Sequence, residues 1–262
     1  KMTKIFYIIL SVFFAYNFAG HVSGTKSRIV GGYEAPEDFG KFHASIQNLS
    51  GEHVCGGAVV SKWHVVTAAH CVHQADPQYM KIVAGTHDLD VGGKQNEVAS
   101  IIVYNKYNAT SKEHDIALLI TKKPFDLRYI RVMQLRGAKL KEGDEVSLLG
   151  FGAEKPNGLS SRRMYILDLP VFSQKICQHA MRYTRPVTRD MFCTFTKIGE
   201  GSCHGDSGSP LIKGDELVGL VSWGIPCAVG FPDVHTRIAP YIRWIKNHTK
   251  QNFCASRRKR FA

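Results

Sequence analysis

The chain has 262 residues, 44 % of them hydrophobic, enough for one large all-β core or two smaller ones. Its formal net charge is +12, but the excess is concentrated at the ends. Lys1, Lys4, Lys26 and Arg28 lie in a stretch without acidic residues, and Arg257-Arg258-Lys259-Arg260 carries four more positives. The body between them is only mildly basic, which excludes a nucleic-acid groove argued from charge. No metal-ligand cluster, phosphate loop or cofactor signature stands out, and neither a metal nor a cofactor is expected.

Met2-Thr3-Lys4 followed by the apolar run 5–19 has the form of a signal peptide, with cleavage after Gly20 or Gly24. The run is short for a membrane span and Asn17 interrupts its end, so residues 1–24 read as a leader and no membrane partner is expected. A secreted, extracellular protein follows, in which disulfides are permissible. Asn48-Leu49-Ser50, Asn108-Ala109-Thr110 and Asn247-His248-Thr249 are then usable glycosylation sequons. Seven cysteines leave one that pairs between chains, stays free or lies outside the framework. In Thr25-Lys26-Ser27-Arg28, ahead of Ile29-Val30-Gly31-Gly32, a basic residue precedes an apolar run. That pattern is either a proteolytic cut site or an exposed loop ending at a strand.

Short apolar stretches separated by turn residues fill the rest: 44–49, 56–60, 64–68, 79–84, 99–104 and 116–120, then 145–150, 161–171, 191–194, 209–212, 216–223 and 233–237. Their length and β-branched content predict strands rather than helices. Residues 136–143 read as the link between two halves. The expected fold is all-β: two six-stranded antiparallel barrels, about 29–135 and 144–239, with a cleft between them. Apolar residues at helical offsets over 240–245 predict a closing helix, and 249–262 reads as a polar, basic, mobile tail.

Chemistry concentrates in three stretches. Gly201-Ser202-Cys203-His204-Gly205-Asp206-Ser207-Gly208-Ser209-Pro210 places a serine between glycines and after an aspartate. Glycine there frees the backbone for positive φ, and adjacent N–H groups can converge on an oxyanion. By itself this could be an ordinary turn. Upstream lie Thr67-Ala68-Ala69-His70-Cys71 and Asp115-Ile116-Ala117-Leu118-Leu119, and the chain order His70, Asp115, Ser207 is one of the known orders of triad enzymes. On these motifs the chain resembles the chymotrypsin-like serine proteases, more closely their insect members, from Arg28 to about His248.

The resemblance implies a secreted serine endopeptidase made as a zymogen, with 25–28 as the activation propeptide and 29–248 as the protease domain. Ser207 would be the nucleophile, His70 its general base and Asp115 the group that orients His70, as in the family's worked template. Gly205 and Ser207 would supply the oxyanion N–H groups. Gly201, Ser202, Ser222, Trp223, Gly224 and Asp233 would form the substrate pocket, with Ser222-Trp223-Gly224 pairing with substrate backbone. Cutting after Arg28 by a trypsin-like protease would free the amine of Ile29 to meet Asp206. The implied disulfides are Cys55–Cys71, Cys177–Cys193 and Cys203–Cys227, leaving Cys254 over. Partners would be protein and peptide substrates and protein protease inhibitors; the enzyme would be a monomer.

Two departures from the family pattern matter. Ser209 stands where most members have a second glycine. Gly201 replaces the pocket-floor aspartate of trypsins, while Asp233 stands where most relatives have a wall glycine. Together these predict cleavage after large apolar or aromatic residues, broadened toward basic ones. The alternative for Asp233 is a structural carboxylate directed away from substrate. The family's calcium loop would fall at 86–95, where acidic ligands are sparse. The alternative function is a catalytically silent homologue acting as a binding or signalling cofactor; loss of Ser207 or His70 would favour it, and both are present.

Overall fold

A computed structural model describes residues 30–258, with 251–258 as backbone alone. The leader, the propeptide, Arg28, Ile29 and residues 259–262 lie outside the described residues.

Two sets of strands each close on themselves. The strands are β1 (Tyr33–Glu34), β2 (His43–Asn48), β3 (His53–Ser61), β4 (His64–Thr67), β5 (Met80–Ala84), β6 (Lys94–Val103) and β7 (Ala117–Thr121) in the first half. The second half contributes β8 (Glu145–Gly150), β9 (Tyr165–Phe172), β10 (Met191–Thr194), β11 (Pro210–Lys213), β12 (Glu216–Trp223) and β13 (Asp233–Arg237). The first barrel runs β2-β3-β4-β7-β6-β5, and every neighbouring pair is antiparallel. The second runs β9-β10-β13-β12-β11-β8 and closes through β8–β9. Two six-stranded barrels were expected and two are present; the added strand β1 pairs with β9 at Tyr33↔Ile166, where β10 leaves that edge free.

Each barrel fills with aliphatic side chains that alternate inward along its strands. Ile46, Val59, Val65, Ile82 and Leu119 pack inside the first, and Val146, Leu148, Leu167, Leu169 and Leu211 inside the second. A third cluster spans both: Phe42, Val66 and Leu118 from one side meet Leu149, Phe151, Ile166 and Leu220 from the other. Closed barrels leave no long exposed edges, and the seam between them is the natural place for a cleft.

Two helices cover the second half. Helix α1 (Gln174–Met181) was not foreseen; its buried residues, Cys177 and Met181, lie one turn apart under otherwise polar sequence. The closing helix follows a 3-10 turn at Ala239–Tyr241 and runs as α2 from Ile242 to Arg258. Tyr241 and Ile245 anchor its start in the inter-barrel core. Its length departs from the expected tail: Asn247, Cys254, Arg257 and Arg258 are helical. The stretch 246–258 contains no glycine or proline to stop propagation. Disulfides join Cys55–Cys71, Cys177–Cys193 and Cys203–Cys227, the three implied pairings.

Candidate active site

His70 sits in a 3-10 turn, Ala69–Cys71, directly after β4, and Asp115 lies two residues ahead of β7, which pairs with β4. The ladder thus delivers both residues to one end of the first barrel. Asp115 is fully buried, and its carboxylate takes three donors. His70 gives its backbone N–H to Oδ1 (2.8 Å) and Nδ1–H to Oδ2 (2.7 Å), and Ser222 Oγ donates to Oδ2 (2.6 Å). The Asp115 carbonyl accepts from Thr236 Oγ1 (2.9 Å). Ser222 and Thr236 belong to β12 and β13, so the second barrel clamps a carboxylate that the first supplies. The sequence marks Ser222 as a pocket residue only, and no local pattern marks Thr236. The buried carboxylate fixes the Nδ1–H tautomer and leaves Nε2 as the proton acceptor.

Ser207 lies in the loop between β10 and β11. Its carbonyl accepts from Gly56 N (2.8 Å) on β3, and Gly208 N donates to Val221 O (2.8 Å) on β12. Gly208 adopts φ +75°, and a Cβ there would overlap Thr67 Oγ1 and Gly56 O. A glycine is therefore required for the Ser207 loop to lie against Thr67-Ala68, the lead-in to His70. Ser209 is buried on this same contact, its Oγ 3.3 Å from His43 Nε2, with Gly56 facing it. The serine that departs from the family pattern is accommodated as a bonded part of the seam.

The peptide after Gly205 is held from the first barrel. His53 Nε2 donates to the Gly205 carbonyl (2.8 Å), and its Nδ1 accepts from Ser45 Oγ (2.8 Å). Burial pushes the His53 pKa down to about 4, so the ring is neutral and supplies one donor and one acceptor. His53 and Ser45 carried no signal that sequence reasoning used.

Asp206 is fully buried and points the other way. It accepts from Gly152 N (3.0 Å) and Cys203 N (3.0 Å), and a Cβ on Gly152 would overlap its carboxylate. Burial, reinforced by the Asp233 carboxylate, pushes its pKa up to about 7 against the pull of those two N–H groups. Val30 bridges to Gly201, whose N–H donates to the Val30 carbonyl (3.0 Å), and Val30 packs beside the Cys203–Cys227 disulfide.

Beside Ser207 opens a cavity of about 180 Å³, lined by Ser202, Cys203, His204, Val221, Ser222, Trp223, Gly224, Pro226 and Asp233. Of the six residues expected, only Gly201 is absent from the lining. The Asp233 carboxylate occupies that place: Oδ2 lies 2.8 Å from where a Gly201 Cβ would stand, and Oδ1 2.9 Å from a Gly224 Cβ. Asp233 Oδ2 accepts from Ser202 N (2.6 Å), and burial pushes its pKa up to about 6. Both glycines are what make room for this carboxylate.

Asn108 and Asn247 are exposed and Asn48 is half-buried, its Nδ2 donating to Glu52 Oε2 (2.6 Å). At 86–95, Arg162 and Arg163 take up the acidic groups: Arg162 Nε donates to Asp90 Oδ1 (2.8 Å), and Arg163 Nε lies 3.7 Å from Asp88 Oδ2.

Two barrels with a histidine–carboxylate pair and a glycine-flanked serine at their seam define a serine endopeptidase of the chymotrypsin type. Residues 29–245 match the family model described as Trypsin, and the chain belongs to the trypsin family of serine proteases. It is 31 % identical to trypsin eta of Drosophila melanogaster over 93 % of this chain and 97 % of that one. Identity is 34 % both to trypsin-3 of Salmo salar (91 % and 100 % covered) and to chymotrypsin-2 of Vespa crabro (84 % and 99 %).

Proposed function

We propose that this protease is secreted as a zymogen and, once cut after Arg28, hydrolyses peptide bonds by a Ser207–His70–Asp115 relay. The observation that carries the reading is the buried Asp115 carboxylate holding His70 Nδ1–H at 2.7 Å, with Ser207 lining the adjacent pocket. In this reading Ser207 Oγ attacks the carbonyl carbon while its proton passes to His70 Nε2. The oxyanion is received by the N–H groups of Gly205 and Ser207, and His70 returns the proton to the leaving amine. Water then repeats the sequence on the acyl-enzyme. Asp115 stabilises the imidazolium and stays ionised.

The pocket supports cleavage after Phe, Tyr, Trp or Leu, because its lining is largely uncharged and Gly224 leaves its entrance open. Asp233 adds a carboxylate that can meet the head of a Lys or Arg side chain, off the floor position, so discrimination between the two classes is shallow. Trypsins and chymotrypsins both occur among the relatives, which is compatible with such a mixed preference. The substrate backbone pairs with Ser222-Trp223-Gly224 as an added strand. Asp206, buried and without a cation among the described residues, is a receptor for the amine that cutting at Arg28 would create. The three disulfides fit a secreted protein, and a trypsin-like activator, protein inhibitors and a monomeric state complete the reading.

Cleavage of a peptide library by the activated protein tests it. The expected profile has aromatic and leucine residues first and Lys and Arg second before the cut, with all cleavage lost in Ser207→Ala. Cleavage that survives in Ser207→Ala, or no cleavage by the activated protein, would refute it.

A further inference from the structure

Upstream of the pocket, two cations stand without counter-ions among the described residues. Arg185, in the segment that follows α1, lays its guanidinium over the Trp223 ring at 5.6 Å from the ring centre. Its Nε donates to the Thr110 carbonyl at 3.0 Å, tying that segment to the loop that leads into Asp115. From the same loop Lys112 sends Nζ to Tyr107 Oη at 3.3 Å. Lys112 holds φ +59°, a left-handed conformation that is unusual for a lysine.

Nearby acidic groups are already engaged. Asp115 is buried and takes three donors; Glu113 accepts from Ser111 Oγ at 3.0 Å; Asp190 faces His114 at 3.4 Å. Among the described residues neither Lys112 nor Arg185 has an ion-pair partner within 4.0 Å. Both side chains are half-buried, so their charges are only partly screened by water. Burial and the Arg185 charge push the Lys112 pKa down, against the pull of Asp115. Two cations on segments joined by the Arg185–Thr110 bond, neither with an ion-pair partner among the described residues, form a site for an anion.

The place of this pair relative to substrate follows from the proposed binding mode, on which this inference rests. With one side chain in the pocket and the backbone along Ser222–Gly224, the preceding residues run past Trp223. Alternation along an extended strand turns the residue before the pocket side chain away from the pocket, toward the first barrel. There the loop carrying Lys112 stands, with Arg185 beyond it on Trp223.

We propose that Lys112 and Arg185 form a cationic subsite that selects substrates with Asp or Glu two to four residues before the cut. A partly screened pair of this kind supports roughly a three- to tenfold preference, smaller at high salt. The aromatic ring under Arg185 keeps the guanidinium in place while its edge N–H groups remain available to a carboxylate.

The test uses the activated full-length protein and peptides with Phe fixed before the cut and Glu, Gln or Lys placed singly at each of the three preceding positions. The expected result is a kcat/KM ratio of Glu over Gln of about three to ten at one or more positions, carried mostly by KM and reduced in 0.5 M salt. Lys112→Gln and Arg185→Gln should each reduce the ratio, the double variant should bring it near one, and Lys112→Arg with Arg185→Lys should retain it. The ratio is internal to each variant, so a general loss of folding or activity cancels. A ratio near one in the wild type, a preference for Lys, or a Glu preference that persists in the double variant would overturn the inference. Failure of the wild type to cut any of the Phe peptides would instead overturn the proposed function on which it stands.

Discussion

Asp233 is a buried carboxylate with a stability cost of its own and, on the proposed reading of the pocket, a part in selectivity. Its pKa is pushed from 3.8 up to about 6, so the folded state holds that proton more tightly than the unfolded chain does. Stability is therefore lost as pH rises from about 4 to 6, as the buried carboxyl ionises. Asp233→Asn keeps the Ser202 N–H bond through an amide oxygen and removes this cost. Its melting temperature should exceed wild type at pH 7.5 and approach it near pH 4. On the proposed reading the same titration would govern selectivity: ionised Asp233 would attract Arg or Lys, and protonated Asp233 would not. The kcat/KM ratio of Arg over Phe peptides should rise up to about pH 6 and then level off, since His70 affects both substrates alike. A ratio flat with pH in wild type, or unaltered in Asp233→Asn, would make this aspartate structural. Ser222 allows a second substitution. Removing its hydroxyl deletes one of three donors to Asp115, and a bond to a charged group is worth about 1.5–3 kcal/mol. Ser222→Ala should lower stability by about that amount and lower kcat roughly tenfold; a turnover equal to wild type would show that His70 alone suffices to orient the carboxylate.

At the scale of elements, the barrels were legible because inward positions repeat every second residue and turns punctuate them. The expected 145–150, 191–194, 216–223 and 233–237 coincide with β8, β10, β12 and β13. Strand β6 is longer than expected, Lys94–Val103 rather than 99–104, because its first half, Lys94-Gln95-Asn96-Glu97, presents no apolar run. Helix α1 was missed for a related reason: two buried residues one turn apart, one of them a disulfide cysteine, make too weak a period. The site divides in the same way. Ser207, His70 and Asp115 are marked by their neighbours in sequence, whereas Gly152, Thr236 and His53 act through contacts 54, 121 and 152 residues apart and Ser45 acts through the packed His53, and no local pattern announces them. Arg162 is another such long-range contact. It bonds Asp90, the Leu89 carbonyl (2.9 Å) and the Gly51 carbonyl (3.2 Å), pinning 86–95 to the segment after β8. Arg162→Ala should lower stability by about 1 kcal/mol, read from urea unfolding, and added calcium should not restore it. Recovery by calcium would show that the loop takes a cation in place of the guanidinium.

Across the whole molecule, the seam is what the two barrels build together. Asp115 comes from one and Ser222 from the other; Ser207 comes from the second barrel and Gly56, which holds its carbonyl, from the first. Asp206 is the switch proposed for this seam. Its carboxyl is held near pH 7 with only two backbone donors, so an ammonium arriving from the cut chain would stabilise its ionised form. The amine, in turn, would gain a pKa above its usual range of about 7.7–8.0, and that stabilisation is present below this range and lost as pH rises through the raised value. Arg28→Gln should leave the chain dormant after exposure to a trypsin-like protease, whereas the cut wild type should lose activity at alkaline pH. Full activity in uncut Arg28→Gln would remove Asp206 from the switch.

On the proposed mechanism Ser207 becomes an activated nucleophile through His70, and labelling with a fluorophosphonate reads this most directly. Protein cut after Arg28 should take up one label per chain, on Ser207 by peptide mapping, at a rate that falls by orders of magnitude in His70→Ala and in the uncut chain. Label at another residue, no label on the cut protein, or an unchanged rate in His70→Ala would contradict it.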